Sequence, residues 1–84
     1  MKKVKLTVTE ANCRSGHFSV GECFIVDELC PPVCHELWNI AYPYVFALQN
    51  GAELDADDKR AKSFDICCPD GCRVKLHGEL LEEA

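Results

Sequence analysis

Seven cysteines are the groups in this 84-residue chain most able to do chemistry. They make up about 8% of the residues, a share that needs a chemical explanation. Thiolates bind soft metals and attack disulfides, and three histidines add imidazole nitrogen as a further ligand type. The cysteines form groups far apart along the chain, so the sequence predicts that folding gathers them into one sulfur-lined site. They stand at Cys13, Cys23, Cys30, Cys34, Cys67, Cys68 and Cys72.

The first group places a thiol and an imidazole in one loop. Cys13 and His17 have a C-x3-H spacing, and Ser15 and Gly16 between them are typical of a loop. A loop lets both side chains turn toward one point, and zinc and iron accept both ligand types. The alternative is a loop in which Cys13 is incidental and His17 is exposed.

The second group lies at a predicted helix start. If Pro31 is the first helical residue, Cys30 is near the N-cap and Cys34 lies one turn further along the helix. The helix dipole and the free N–H groups there favour the thiolate, which binds metal or attacks a disulfide. Cys30 is the better candidate for a ligand. His35 could be a ligand or could donate a hydrogen bond to one. The alternative is that both cysteines fill the helix start as small apolar residues.

The third group surrounds a turn. Cys67 and Cys68 are adjacent on a predicted strand and must point to opposite faces, so at most one of them reaches a site on the helix-covered face. The alternation with Phe64 and Ile66 assigns that position to Cys68. Cys72 follows the turn and could pair with Cys67 or Cys68.

Together the groups predict a site for zinc or an iron–sulfur cluster. Three sulfurs and one nitrogen suit tetrahedral zinc, and cluster ligands are usually four cysteines but sometimes include histidine. The protein would then have an accessory, structural or electron-transfer role. The expected ligands are Cys13, His17, Cys30 and Cys68, with Cys34, His35 and Cys72 as second choices.

Two other functions stay open. One is thiol redox chemistry without metal, with Cys30 as the attacking thiol. The other is a non-catalytic subunit that docks on a larger enzyme, or on a second copy of the chain, through an exposed face or sheet edge. An enzyme that works alone is less favoured, because a chain of this size offers little room for a cleft that excludes water.

Charge and hydropathy exclude several partners. The formal net charge of −5 argues against nucleic acid and against anionic membranes, which both attract basic surfaces. No apolar run approaches the ~20 residues of a membrane span. The segment after Met1-Lys2-Lys3 alternates and does not form the apolar core of a signal peptide. We therefore expect a cytoplasmic protein, in which clustered cysteines are more often metal ligands than disulfides.

Alternating patterns predict four strands. Residues 3–10 and 22–27 alternate apolar and polar positions, as half-buried strands do. Residues 63–68 and 72–79 do the same on either side of Pro69-Asp70-Gly71, so they form a hairpin.

One helix is predicted between the two strand pairs. Apolar residues from Val33 to Leu48 recur at helical spacing, and Pro43 inside the pattern predicts a kinked or split helix. Residues 52–62 are charged and predict a solvated connection with at most one helical turn. The order β-β-α-β-β predicts an α+β fold over residues 1–84 as a single domain, with an antiparallel sheet of about four strands and the helix on one face.

Short motifs in a consistent order cover nearly the whole chain. They are VKLTV, Cys13 with Gly16-His17, Gly21-Glu22 before Phe24, Cys30-Pro31, Tyr42-Pro43-Tyr44-Val45 with Leu48 and Gly51, and Cys68-Pro69-Asp70. In these motifs the chain resembles a family of small bacterial and archaeal proteins, common in anaerobes, that lack an established function. Glu22 stands where the family usually has Asp. The resemblance implies that Cys13, His17, Cys30 and Cys68 follow the family pattern and that Cys23, Cys34, Cys67 and Cys72 are additions.

Overall fold

A computed structural model describes residues 2–56 and 59–81 of the chain and shows an α+β fold. Within those residues, no helix has the length and apolar character that crossing a membrane requires. The elements in chain order are β1 (Val4–Ala11), β2 (Cys23–Val26), α1 (His35–Gln49), β3 (Leu54–Ala56), β4 (Lys59–Ala61), β5 (Ser63–Cys67) and β6 (Val74–Leu80).

The main sheet has four strands in the order β2-β1-β6-β5, and every neighbouring pair is antiparallel. This confirms the predicted sheet and the predicted hairpin of the last two strands. Val4, Leu6 and Val8 alternate along β1 and are all buried, so they line one face of the sheet. The intervening residues point to the opposite face, because successive side chains of a strand alternate.

The helix α1 covers the apolar face of this sheet. Its buried residues are spaced four, four and three apart, which places them on one side of the helix. Burying a side chain of the size of leucine contributes roughly 1.5–3 kcal/mol, so the contact between helix and sheet stabilises the fold. The buried residues of α1 are Leu37, Ala41, Val45 and Leu48.

The helix runs without a break from His35 to Gln49, so Pro43 does not split it. Pro43 is exposed, and the carbonyl of Asn39 that loses its helical donor there is also on an exposed residue. Water can satisfy such a group, which explains why the helix tolerates the proline. Beyond Asn50, Gly51 has a φ of +88°, as the sequence signal for a helix end predicts.

A second, two-stranded sheet replaces the predicted connection after the helix. Strand β3 pairs with β4, and Leu54 faces Ala61 in the register. Leu54 packs against the hydrophobic core, which ties this hairpin to the rest of the fold. The prediction of a solvated connection over residues 52–62 was wrong because the charged residues concealed a short strand pairing. Residues 57 and 58, between the two strands, lie outside the described part of the chain.

Candidate functional site

One pocket gathers most of the predicted site residues. Its volume is about 280 Å³, and its wall combines the loop after β1, the first turn of α1 and the turn between β5 and β6. Three of the four expected ligands and two of the second choices line it, whereas Cys30 does not. The thiol and imidazole groups on its wall are those of Cys13, His17, Cys34, His35 and Cys68.

The loop after β1 presents Cys13 to the pocket. Its backbone turns tightly because the Gly16 N–H donates to the Cys13 carbonyl at 3.0 Å, and Gly16 adopts a φ of +69° that side-chain-bearing residues rarely adopt. The turn aims the backbone N–H groups of His17, Ser15 and Gly16 at the half-buried sulfur. These donors lower the pKa of Cys13, with His17 contributing most, against smaller opposing effects of desolvation and of the Asp70 charge.

Alkylation should reveal this lowered pKa. The thiolate is the reactive form, and a lowered pKa keeps Cys13 ionised to a lower pH than an ordinary thiol. With a metal chelator present, we expect iodoacetamide to modify Cys13 before the exposed Cys23 and Cys30 near neutral pH, with a lead that shrinks as the pH rises above the ordinary thiol pKa. Peptide mass spectrometry of timed samples from about pH 6 to about pH 9 measures it, a range from about 2.5 units below the ordinary thiol pKa to about 0.5 unit above it. Equal rates for the three thiols across this range would contradict the expectation, and urea-unfolded protein is the control.

The start of α1 places Cys34 and His35 on the same wall. Cys34 is the N-cap residue, its carbonyl accepts the first helical bond from the Trp38 N–H at 3.0 Å, and its half-buried thiol makes no capping bond to the helix. The positive end of the helix dipole therefore lies beside this thiol. Cys34 thus occupies the position that the sequence argument assigned to Cys30.

Cys30 lies before the helix and outside the pocket. It is exposed, and the three residues between it and Cys34 form a turn closed by a 2.8 Å bond from the Val33 N–H to the Pro31 carbonyl. The helix cannot begin at Pro31, since a residue that precedes a proline is held out of the helical region and Pro32 follows it. This rule, applied to the double proline, would have identified Cys34 as the residue at the helix start.

The turn between β5 and β6 brings Cys68 into the core side of the pocket. Cys68 is 8% exposed, which confirms that it is the inward-facing member of the cysteine pair. Its sulfur accepts a bond from the Val74 N–H at 3.4 Å and donates to the Asp70 carbonyl at 3.8 Å. Its own N–H donates to the Val74 carbonyl at 2.9 Å, so backbone bonds on both strands hold this sulfur in place.

The other two cysteines of this turn form a disulfide. Cys67 and Cys72 are bonded with an S–S distance of 2.02 Å and a Cα–Cα distance of 4.8 Å. The open choice between Cys67 and Cys68 as the partner of Cys72 is thereby decided. Cys72 is one of the second-choice ligands, and in this disulfide its sulfur is not a thiolate. The five free cysteines are Cys13, Cys23, Cys30, Cys34 and Cys68.

An ion pair joins two of the segments that form the pocket. Asp70 in the turn lies 3.2 Å from Arg14 in the loop and 3.5 Å from Arg73. Such exposed pairs add little stability, but this one holds the segment of Cys13 against the segment of Cys68. The Asp70 charge itself opposes thiolate formation at Cys13, as the smallest of the effects on the pKa of that thiol.

A larger groove on the opposite side of β5 and β6 is a weaker candidate. It has a volume of about 410 Å³ and is lined by Thr9, Asp65 and Lys75 among others. Its one sulfur belongs to Cys67 and is held in the disulfide. His77 accompanies it on that side, with its Nδ1 2.9 Å from the Asp65 carboxylate, so this histidine is paired on the outer strand face.

The donors on the pocket wall do not yet surround one point. Among residues 2–56 and 59–81, no three His, Cys, Asp or Glu side chains are arranged to hold a metal ion. The pocket supplies thiol and imidazole groups from three segments of the chain. Their side chains would have to rotate to surround one ion. A search of protein-family models, curated proteins and solved structures found no match to the chain, so the family resemblance stays a prediction.

Proposed function

We propose that this protein binds zinc or an iron–sulfur cluster in the 280 Å³ pocket. Cys13, Cys34 and Cys68 would supply thiolates, and His17 or His35 would supply a nitrogen. The observation that carries the proposal is that three unpaired thiols from three distant segments line one cavity together with two imidazoles. This donor set is the one that tetrahedral zinc prefers, and an iron–sulfur cluster accepts it as well.

The local environment supports metal binding at these thiols. The pKa of Cys13 is lowered by the N–H groups of its own loop, and Cys34 stands at the positive end of α1. The lowered pKa of Cys13 reduces the cost of forming one of the thiolates that a metal needs. His17 and His35 are exposed, so their rings are free to reorient toward an ion. A cation would also offset the charge of thiolates in a chain that is already at −5.

The expected role is structural or electron-transferring. Four protein ligands complete a tetrahedral zinc site, which then has no open position for a substrate. A closed site that joins the loop, the helix start and the turn would stabilise a small core. A cluster in the same place would lie near the surface, where electrons can enter and leave. Neither role requires a catalytic residue.

Metal analysis of protein purified without oxygen tests the proposal. We expect one zinc per chain, or iron together with a brown colour, and thiol titration should show Cys23 and Cys30 reactive while the pocket thiols are protected. Co²⁺ added to metal-free protein should produce the intense visible bands of tetrahedral thiolate coordination. Five reactive thiols and no binding of Zn²⁺, Co²⁺ or a reconstituted cluster would end the proposal.

The disulfide favours thiol redox chemistry as a second candidate. An external dithiol could reduce Cys67–Cys72, giving two thiols here and a disulfide in the donor, with two electrons and two protons transferred. Cys72 is exposed and has a φ of +58°, an unfavourable backbone conformation that opening the turn would relieve. Metal content that does not change when Cys72 is replaced by serine would separate this chemistry from the pocket.

A further inference from the structure

The outward side of α1 carries apolar side chains where a surface helix normally carries charge. Residues 37–48 contain no Asp, Glu, Lys or Arg, and their polar groups are two tyrosine hydroxyls, the Trp38 indole N–H and the Asn39 amide. The side that faces the sheet is already filled by the buried residues of the helix. Tyr42, Tyr44 and Phe46 are nevertheless 47%, 40% and 53% exposed, so the helix is apolar on its solvent side as well.

Three aromatic residues of α1 form a continuous ridge. Trp38, Tyr42 and Phe46 are four residues apart, with ring centroids separated by 5.4 Å and 5.9 Å. Rows of this spacing are the ridges that insert into the grooves of a second helix when two helices pack. We call these three residues the aromatic ridge. None of them lines the metal pocket, so the two features are separate.

The exposed area on the ridge side reaches the lower end of what a specific dimer buries. With ~200 Å² for each aromatic side chain, the exposed parts of Tyr42 and Phe46 amount to about 200 Å², whereas Tyr44 lies on the other flank of the helix and stacks on Phe64. The exposed Pro43 and the half-buried Trp38 raise the apolar surface on the ridge side to about 300 Å². Two such faces supply about 600 Å², and because interfaces are only about 57% apolar, the whole contact would bury roughly 1,000 Å².

We infer that a second copy of this chain covers the face, with the two aromatic ridges packed across a two-fold axis. The chain carries a net charge of −5, yet residues 37–48 carry no charge, so two copies can pack these residues together without bringing like charges into the contact. The absence of Lys and Arg removes the attraction that would hold the helix on an anionic membrane. A partner selected by charge would likewise find no complementary group on the face, whereas a two-fold contact needs only a surface that fits itself.

Sedimentation equilibrium with chelator and reductant present tests the inference, because metal bridges and intermolecular disulfides are then removed. The wild-type chain is expected to dimerise in the micromolar range, and its single tryptophan, Trp38, should shift its emission to the blue as the dimer forms. Phe46→Glu should weaken the dimer at least about 100-fold, since a two-fold contact contains the substitution twice and aromatic anchors dominate such interfaces.

Val20→Glu is the matched control, because Val20 is 68% exposed but lies in the loop before β2. This variant should dimerise as the wild type does, and circular dichroism should show that both variants are folded. A wild-type chain that stays monomeric at about 500 μM, well above the micromolar range of a marginal specific contact, would overturn the inference. So would a dimer that survives Phe46→Glu, or a monomer that binds vesicles of anionic lipid through this face. A chain that dimerises but binds no metal would contradict only the proposed metal site.

Discussion

Cys34→Ser is expected to lower the affinity for zinc by about 100-fold or more, whereas Cys30→Ser and Cys23→Ser leave it nearly unchanged. Cys34 lines the pocket at the positive end of α1, and removing a thiolate ligand leaves the ion with an incomplete shell. Cys30 and Cys23 are exposed and lie outside the pocket wall, so they serve as matched controls with the same chemical change. Competition with a chromophoric chelator measures the affinities.

The same variants should differ in how much zinc raises their melting temperature. Zinc at 1,000 times its dissociation constant adds about 4 kcal/mol to the free energy of unfolding, which raises the Tm of a domain of this size by roughly 15–30 °C. We expect this rise for the wild type, for Cys30→Ser and for Cys23→Ser, and little of it for Cys34→Ser. Calorimetry with and without zinc checks it. A Cys30→Ser variant that loses the rise while Cys34→Ser keeps it would show that the family-pattern cysteine is the ligand and that the pocket is not the site.

Gly78→Ala is expected to destabilise the fold by about 3 kcal/mol, which lowers the Tm by roughly 12–24 °C. Gly78 on β6 faces Phe64 on β5 in the register of the sheet. A methyl group at Gly78 would overlap three atoms of the Phe64 ring. That ring is 4% exposed and stacks on Tyr44 with its centroid 5.2 Å away, so it cannot move aside without disturbing the contact between sheet and helix.

Two further variants isolate the cause of this loss. Phe64→Leu removes the outer ring atoms, so in combination with Gly78→Ala it should recover part of the stability, giving strong coupling in a double-mutant cycle. Gly51→Ala is the control for backbone conformation, because Gly51 has a φ of +88° but open space around it, and it should cost only about 1–2 kcal/mol. Urea denaturation followed by circular dichroism gives all four values. A Gly78→Ala variant as stable as Gly51→Ala, or no coupling to Phe64→Leu, would show that the overlap is relieved elsewhere.

Local patterns were sufficient for the main sheet and for the face of the helix. The alternation of Val4, Leu6 and Val8 predicted a half-buried strand because side chains of a strand change sides at every residue. The same rule assigned Cys68 to the inside and Cys67 to the outside. These are properties of neighbouring residues, and no distant contact is needed to read them.

The helix start and the second hairpin were harder to predict because competing local signals were present. Pro31 suits a first helical position, but Pro32 excludes it, and the start therefore moves to the N-cap at Cys34. The charged run over residues 52–62 shows little alternation of apolar and polar residues. The pairing of β3 with β4 therefore depends on the packing of Leu54 against the hydrophobic core. A local steric rule therefore decides the helix start, whereas packing decides the second hairpin.

The sequence by itself determined that thiols and imidazoles are abundant here, that four strands alternate and that one helix has an apolar face. Only the tertiary structure decided that Cys13, Cys34 and Cys68 share a pocket while Cys30 stays outside it, and that Cys67 pairs with Cys72. The reason is physical. Periodicity reports how a side chain lies relative to its neighbours, whereas a shared site depends on the register and packing of segments that are far apart along the chain.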